Sequence, residues 1–169
     1  DVSVLSVPIR GVNQDMVYAI YRDITEQKRT EKELQRLAMT DPLTHIYNRL
    51  HFNRAVEEEI KLCRRYDRSF SLIMCDIDHF KQINDTYGHQ VGDDVLVDFV
   101  SLIKNIIRET DIFARWGGEE FMILARNAAL NRAANLAERI RESVESQSFQ
   151  NISHVTSSFG VTQFHAEDD

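Results

Sequence analysis

The chain has 169 residues, 43% hydrophobic and 28% charged, with a formal net charge of −7. That is enough apolar material for one domain core and a short appendage, and it excludes a disordered chain. The acidic balance excludes a broad nucleic-acid surface, so a phosphate ligand would need a metal, a helix N-terminus or a few placed cations. Cys63 and Cys75 are too few for a disulfide framework or a zinc site and read as buried, reduced thiols. No apolar stretch reaches membrane-spanning length and no signal peptide is expected. The setting expected is the cytoplasm. Because Asp1 stands inside strand-like sequence, an upstream segment tethering the chain to the inner membrane stays open.

Val2 to Ile9 is rich in Val, Leu and Ile, Gly11 to Asp15 reads as a turn, and Met16 to Ile24 as a second strand. Two strands alone are marginal in water, so the hairpin reads as the edge of a larger sheet. Its tail, Arg22-Asp23-Ile24-Thr25-Glu26-Gln27-Lys28, resembles the end of a PAS sensor domain, in which an Asp-Ile-Thr element closes the last strand and launches a signalling helix. The resemblance implies an upstream sensor domain in the same chain. Glu26 to Met39 is charged and helical. Ile24, Glu31, Leu34 and Ala38 fall near heptad seam positions, with Leu37 beside them. A solvated linker helix and a signal-passing parallel coiled coil both fit that pattern. Thr40-Asp41-Pro42 ends the helix, because a residue before proline disfavours helical backbone. The expected division is 1–25, a PAS-like fragment; 26–40, a signalling helix; and 41–169, a second domain.

Leu50 to Arg65 carries Phe52, Val56, Ile60 and Cys63 at helical spacing. Phe70 to Ile77 is the near-continuous apolar run of a central strand. Val95 to Arg108 places Leu96, Phe99, Val100, Ile103 and Ile107 on one helical face. Ile112 to Trp116 and Phe121 to Leu124 flank Gly117-Gly118, which predicts a two-residue hairpin turn with positive φ. Leu130, Ala133, Ala137, Ile140 and Val144 predict another helix, and alternation through Val155, Ser157, Phe159 and Val161 a final strand. The expectation is an α+β fold, one sheet with helices packed on it.

Two constellations carry chemistry. In Asp76-Ile77-Asp78-His79-Phe80-Lys81, period-two alternation at a strand end puts Asp76 and Asp78 on one side and Ile77 opposite. The turn that follows could cradle phosphate oxygens with backbone N–H groups, and Lys81 adds a cation. In the hairpin, Glu119 and Glu120 point to opposite faces, so one can join Asp76 while the other serves a different role. Paired carboxylates suit magnesium or manganese, which bind through a few carboxylates plus substrate phosphates. Taken singly, each constellation has an ordinary reading as a solvated acidic cap or turn.

Asp41-Pro42-Leu43-Thr44, Tyr47-Asn48-Arg49, Asp76 to Lys81, Ile83-Asn84-Asp85-Thr86-Tyr87-Gly88-His89 and Gly92-Asp93 resemble the GGDEF family, in the family's order. Arg115 to Phe121 resembles its signature in the Gly-Gly-Glu-Glu-Phe form. The resemblance runs from Asp41 to the C-terminus and implies a ferredoxin-like, palm-type cyclase fold with a mostly antiparallel sheet. It implies a diguanylate cyclase that condenses two GTP into cyclic di-GMP, releasing pyrophosphate, across a homodimer. Two Mg2+ or Mn2+ ions per site would be held by Asp76, Glu119 and the Ile77 carbonyl, with Glu120 a further ligand or an activator of the attacking hydroxyl. Asn84 and Asp93 match guanine-reading positions, and His79, Phe80 and Lys81 match phosphate contacts. Leu43 and Leu96 fit a base pocket or the core equally. Arg108-Glu109-Thr110-Asp111 matches an inhibitory site for the product, with Arg139 as a contact from a neighbouring domain.

His45 stands where the family commonly has glycine. Family members also continue past the last strand into a further helix and strand, with a Lys-x-x-Gly-Arg-like stretch, that this chain lacks. The alternative is a silent module binding GTP or cyclic di-GMP. His45, His51, His154 and His165 lack metal-ligand spacing, and Trp116 reads as a packing residue.

Overall fold

The computed structural model describes residues 2–10, 15–149, 152 and 154–165. The chain divides into two compact units, Asp1–Ala38 and Met39–Asp169.

In the first unit, β1 (Val2–Arg10) pairs antiparallel with β2 (Asp15–Asp23). The turn read at 11–14 lies outside the described residues. The helix α1 (Thr25–Met39) follows, its first turn tied by Thr25 N–H donating to Asp23 Oδ1 at 2.9 Å. Leu34, read as a seam residue, is exposed.

The second unit contains β3 (Tyr47–Asn48), α2 (Arg49–Tyr66), β4 (Phe70–Ile77), α3 (Phe80–Tyr87), α4 (His89–Lys104), β5 (Ile112–Arg115), β6 (Glu120–Ala125), α5 (Leu130–Ser146) and β7 (Ser157–Phe164). The five strands lie in the order β3-β5-β6-β4-β7. All pairings are antiparallel except the short β3–β5 pair. From β4 to β7 this is the β-α-β-β-α-β arrangement of the ferredoxin-like fold.

Strand alternation sorts the core into two layers. Ile73, Cys75 and Ile77 of β4, Phe113 of β5, and Phe121 and Ile123 of β6 face α3, α4 and α5 in the larger cluster. On the other face, Phe52, Ala55 and Cys63 of α2 pack against Ala114 and Leu124, with Leu72 and Met122 at the margin. Asn48 caps α2, its side chain accepting from His51 N–H at 3.0 Å. Both cysteines are free and buried, and burial pushes each thiol's pKa up.

Three local expectations are corrected. Residues 80–87 form a separate helix, α3. It escapes the periodicity because it spans barely two turns and buries only Phe80 and Ile83. The next helix starts at His89, not Val95, and ends at Lys104, short of Arg108. The Gly117-Gly118 hairpin is not a two-residue positive-φ turn, since Gly88 is the sole positive-φ glycine among the described residues. Its four-residue loop is closed by Trp116 and Gly117 N–H groups donating to the Glu120 carbonyl at 2.8 and 3.2 Å.

Candidate active site

The site forms where β4 ends beside the β5–β6 hairpin. Asp76 is the register partner of Glu120 on one side and Ser158 on the other. Opposed residues share a sheet face, so Asp76 and Glu120 stand side by side. Glu119 is joined to the same strand end through its carbonyl, which accepts from Ile77 N–H at 3.4 Å. Asp78 accepts from Ser158 Oγ at 2.6 Å, and its N–H donates to the Thr156 carbonyl at 3.0 Å.

Charge crowding marks this corner. Burial, then Glu119, Glu120 and Asp78, pushes Asp76's carboxyl above its ordinary 3.8. Among the described residues no group of three or more His, Cys, Asp or Glu is gathered closely enough to hold a metal ion by itself. An all-oxygen donor set that holds one edge of a cation and leaves the rest to substrate phosphates fits Mg2+ or Mn2+.

The chain then turns through His79, which takes left-handed backbone at φ 57 and stands at the N-cap of α3 without a side-chain cap. In the first turn of α3, Gln82 and Ile83 N–H donate to the His79 carbonyl at 2.8 and 3.3 Å, so Phe80 and Lys81 supply the opening N–H groups without a carbonyl partner in the helix. Lys81 is exposed on this first turn. Asn84 in α3 lies against Gly92, the residue before Asp93 in α4. A Cβ on Gly92 would collide with Asn84 Oδ1 and Cγ, so only glycine lets the amide lie against this helix. Leu96 is fully buried in the core and Leu43 packs partly buried against the same cluster.

An ion-pair clamp, invisible to sequence spacing, holds the hairpin. Arg115 donates from Nε and Nη2 to the Gly118 carbonyl at 3.0 and 2.7 Å, and from Nε to the Gly117 carbonyl at 3.1 Å. Its Nη1 reaches Asp41 Oδ1 at 3.1 Å. Asp41 in turn accepts from Thr44 N–H at 2.8 Å and Thr44 Oγ1 at 2.7 Å. Burial raises Asp41's pKa, but the Thr44 hydrogen bonds and the Arg115 guanidinium outweigh it and hold the carboxyl below 3.8. The Glu120 carboxylate lies back over Gly117, where a Cβ would stand 2.5 Å from Oε2. Arg49 covers the Trp116 ring at 4.3 Å, and Phe52 meets its edge, so Trp116 is a packing residue.

The Arg108 turn is separate. Asp111 N–H donates to the Arg108 carbonyl and Arg108 N–H to Asp111 Oδ2, both at 3.1 Å. Asp111 is buried while the Arg108 side chain is exposed. A cavity of about 240 Å3 lies between this turn and α5, lined by Arg108, Asp111, Arg132 and Arg139 among others. Arg139, expected from a neighbouring domain, lines it within the chain and donates to the Ile106 carbonyl at 2.9 Å.

The family model described as "Diguanylate cyclase, GGDEF domain" matches residues 38–169. The chain belongs to the GGDEF family. It is 38% identical over 154 residues to diguanylate cyclase DgcM of Escherichia coli, covering 91% of this chain and 38% of that protein. The chain therefore spans well under half the length of that relative. Among solved structures, the coiled coil and GGDEF domain of DgcB from Caulobacter crescentus, in complex with c-di-GMP, superposes with a TM-score of 0.80. It is 28% identical and covers 86% of this chain and 79% of that one. The active GGEEF domain of a diguanylate cyclase from Vibrio cholerae gives a TM-score of 0.63 at 36% identity, covering 66% and 72%. GGDEF membership thus rests on the whole of the second unit, and the hairpin, Asp76, Asn84 and Asp93 all fall inside the matched span.

Proposed function

We propose that the GGDEF domain of this chain is an active diguanylate cyclase, joining two GTP into cyclic di-GMP. The carrying observation is the register that sets Asp76 beside Glu120 at the hairpin end of the sheet.

Each domain binds one GTP. Asn84 and Asp93 hydrogen-bond the guanine edge, and adenine would leave those polar groups unmatched. Lys81 and the N-terminal N–H groups of α3 hold phosphate oxygens. Asp76, Glu119 and the Ile77 carbonyl would hold the Mg2+ or Mn2+ ions. The ions supply charge neutralisation at the transferring phosphate. The 3′-hydroxyl of one GTP forms a bond to the α-phosphorus of the other, and pyrophosphate leaves with the electrons of the broken P–O bond. Glu119 and Glu120 divide two tasks, ligation and acceptance of the hydroxyl proton. Two such bonds close the ring, so two domains must face each other as a homodimer. Arg108 and Arg139, beside the Asp111-braced turn, hold returning product as feedback inhibition. The first unit, read as a PAS-like fragment with its helix, would couple an upstream sensor to this dimer.

Incubating the chain with GTP and Mg2+ and resolving nucleotides by chromatography tests the proposal. Cyclic di-GMP is expected from the wild type and none from Asp76→Asn. GTP binding without any product would instead favour a silent nucleotide-binding module.

A further inference from the structure

Asp78 stands two residues past Asp76, and period-two spacing makes it look like a second cation ligand. The structure gives its carboxylate another partner. β4 ends at Ile77, yet the pairing with β7 runs one residue further, because Asp78 N–H donates to the Thr156 carbonyl at 3.0 Å. Ser158, the register partner of Asp76, is thus the diagonal neighbour of Asp78 on the same sheet face. Its Oγ donates to Asp78 Oδ1 at 2.6 Å, the short separation of a charge-assisted bond from a hydroxyl to a carboxylate. A serine hydroxyl has one proton to give. With that proton committed to Asp78, no hydrogen bond from the described residues holds the half-buried Asp76 carboxylate, which faces the charges of Glu119, Glu120 and Asp78.

The turn after Asp78 has to be held against its own backbone preference. His79 takes left-handed backbone at φ 57, the region that favours glycine, and no side-chain hydrogen bond caps α3 there. A residue other than glycine keeps such a conformation only where its surroundings fix it. His79 also separates the two sets of groups that the proposed site uses, the Ile77 carbonyl before it and the Phe80 and Lys81 N–H groups after it. Downstream, the turn is closed by the His79 carbonyl, which accepts from Gln82 and Ile83 N–H. Upstream, it is tied to β7 by the two bonds of Asp78, one from its backbone and one to its carboxylate.

We propose that Asp78 and Ser158 are a positioning pair for nucleotide binding at this corner, an inference that rests on the cyclase reading of the site. Their bond fixes the turn from β4 into α3, so the Ile77 carbonyl and the Phe80 and Lys81 N–H groups are in place before cation and triphosphate arrive. It also keeps the Ser158 proton off Asp76, whose oxygens stay open. Asp78 is thereby a brace and not a cation ligand.

The test is a calorimetric titration of the 169-residue chain with 3′-deoxy-GTP in Mg2+, a nucleotide that keeps base and triphosphate but has no hydroxyl to attack with. Ser158→Ala should weaken binding about tenfold, the loss of one hydrogen bond to a charged group. Ser158→Thr, which keeps the hydroxyl and suits a strand, should bind within about twofold of wild type. Asp78→Ala should lose about as much as Ser158→Ala, and the double variant no more than either, because both changes break the same bond. Ser158 is exposed, so the nucleotide-free thermal melt of Ser158→Ala should stay at that of wild type. Equal affinity of wild type and Ser158→Ala would overturn the pair and leave the cyclase reading standing. So would a melt lowered in step with the affinity, or a loss in Asp78→Ala far beyond that in Ser158→Ala, the mark of a direct cation ligand. No binding by wild type would overturn the cyclase reading, and the pair with it.

Discussion

At the residue scale, the most exacting position in the candidate site is a glycine with no chemistry of its own. Gly92 sits where the Asn84 amide must lie, and a methyl group there would occupy the same space. Gly92→Ala should therefore displace Asn84 and raise the KM for GTP at least tenfold, while the favourable helix propensity of alanine, about 1 kcal/mol, limits any loss of stability. Steady-state kinetics beside a thermal melt separates the two effects. Asp41 gives a second test, through pH. Its pKa is held below 3.8, so the unfolded chain binds more protons over that window. The stabilisation is complete above 3.8 and lost as pH falls through the folded value. Asp41→Asn should cost about 2 kcal/mol at neutral pH, typical of hydrogen bonds to a charged group. The gap to wild type should close in melts below pH 3.8. Asp76 has the opposite sign: its raised pKa destabilises the fold as pH rises, a cost accepted where cations are to be held.

At the element scale, the hairpin and α2 act as a supported pair. Arg115 pins the loop carbonyls, while Arg49 of α2 covers the Trp116 ring and Phe52 of α2 meets it edge-on. Further along α2, buried Glu59 meets Arg126 at the end of β6, with Nε and Oε2 2.8 Å apart. The Nε lies off the hydrogen-bond axis, so the contact is an ion pair without a formed hydrogen bond. Arg126→Ala would leave Glu59 buried and uncompensated, and should destabilise by about 3 kcal/mol, read as a lower denaturant midpoint at unchanged slope. Arg126→Met, which keeps the aliphatic stem but not the charge, should rescue little. Much of this architecture was legible in advance. β4 stood out as an apolar run with the same bounds the structure shows, and α5 as an amphipathic helix starting at Leu130. The short elements were not legible: β3 is held by β5, remote in sequence, α3 rests mainly on the α4 that follows it, and two or eight residues carry too little pattern of their own. The hairpin was legible as a hairpin, but its turn type was not, because Arg115 and the Glu120 carbonyl replace the backbone geometry that a bare Gly-Gly pair would adopt.

At the scale of the whole molecule, the proposed cyclase reaction would take half of its site from each of two GGDEF domains. Specific activity should rise with protein concentration until dimers saturate, and fall as the square of the wild-type fraction when wild type is mixed with Asp76→Asn subunits. Mg2+ alone should raise the melting temperature of the wild type and leave that of Asp76→Asn unchanged, because a ligand that binds only the folded state stabilises it by mass action. The open part of the sheet is also a whole-molecule feature. α2 covers β3, β5 and β6 but not the middle of β4, where Met74 is 40% exposed.

Period, spacing and residue type by themselves determined the longer strands, the presence of the long helices, the acids at the end of β4, and the family. Those features are local, or repeat motifs whose order in the chain is already informative. Tertiary structure alone decided that Glu120 is the partner of Asp76, that Gly92 seats Asn84, and that Asp41 and Arg115, 74 residues apart, clamp the signature loop. Register, steric fit and ion pairing depend on which side chains meet across the sheet. That is set by how the layers pack, and no spacing along the chain encodes it.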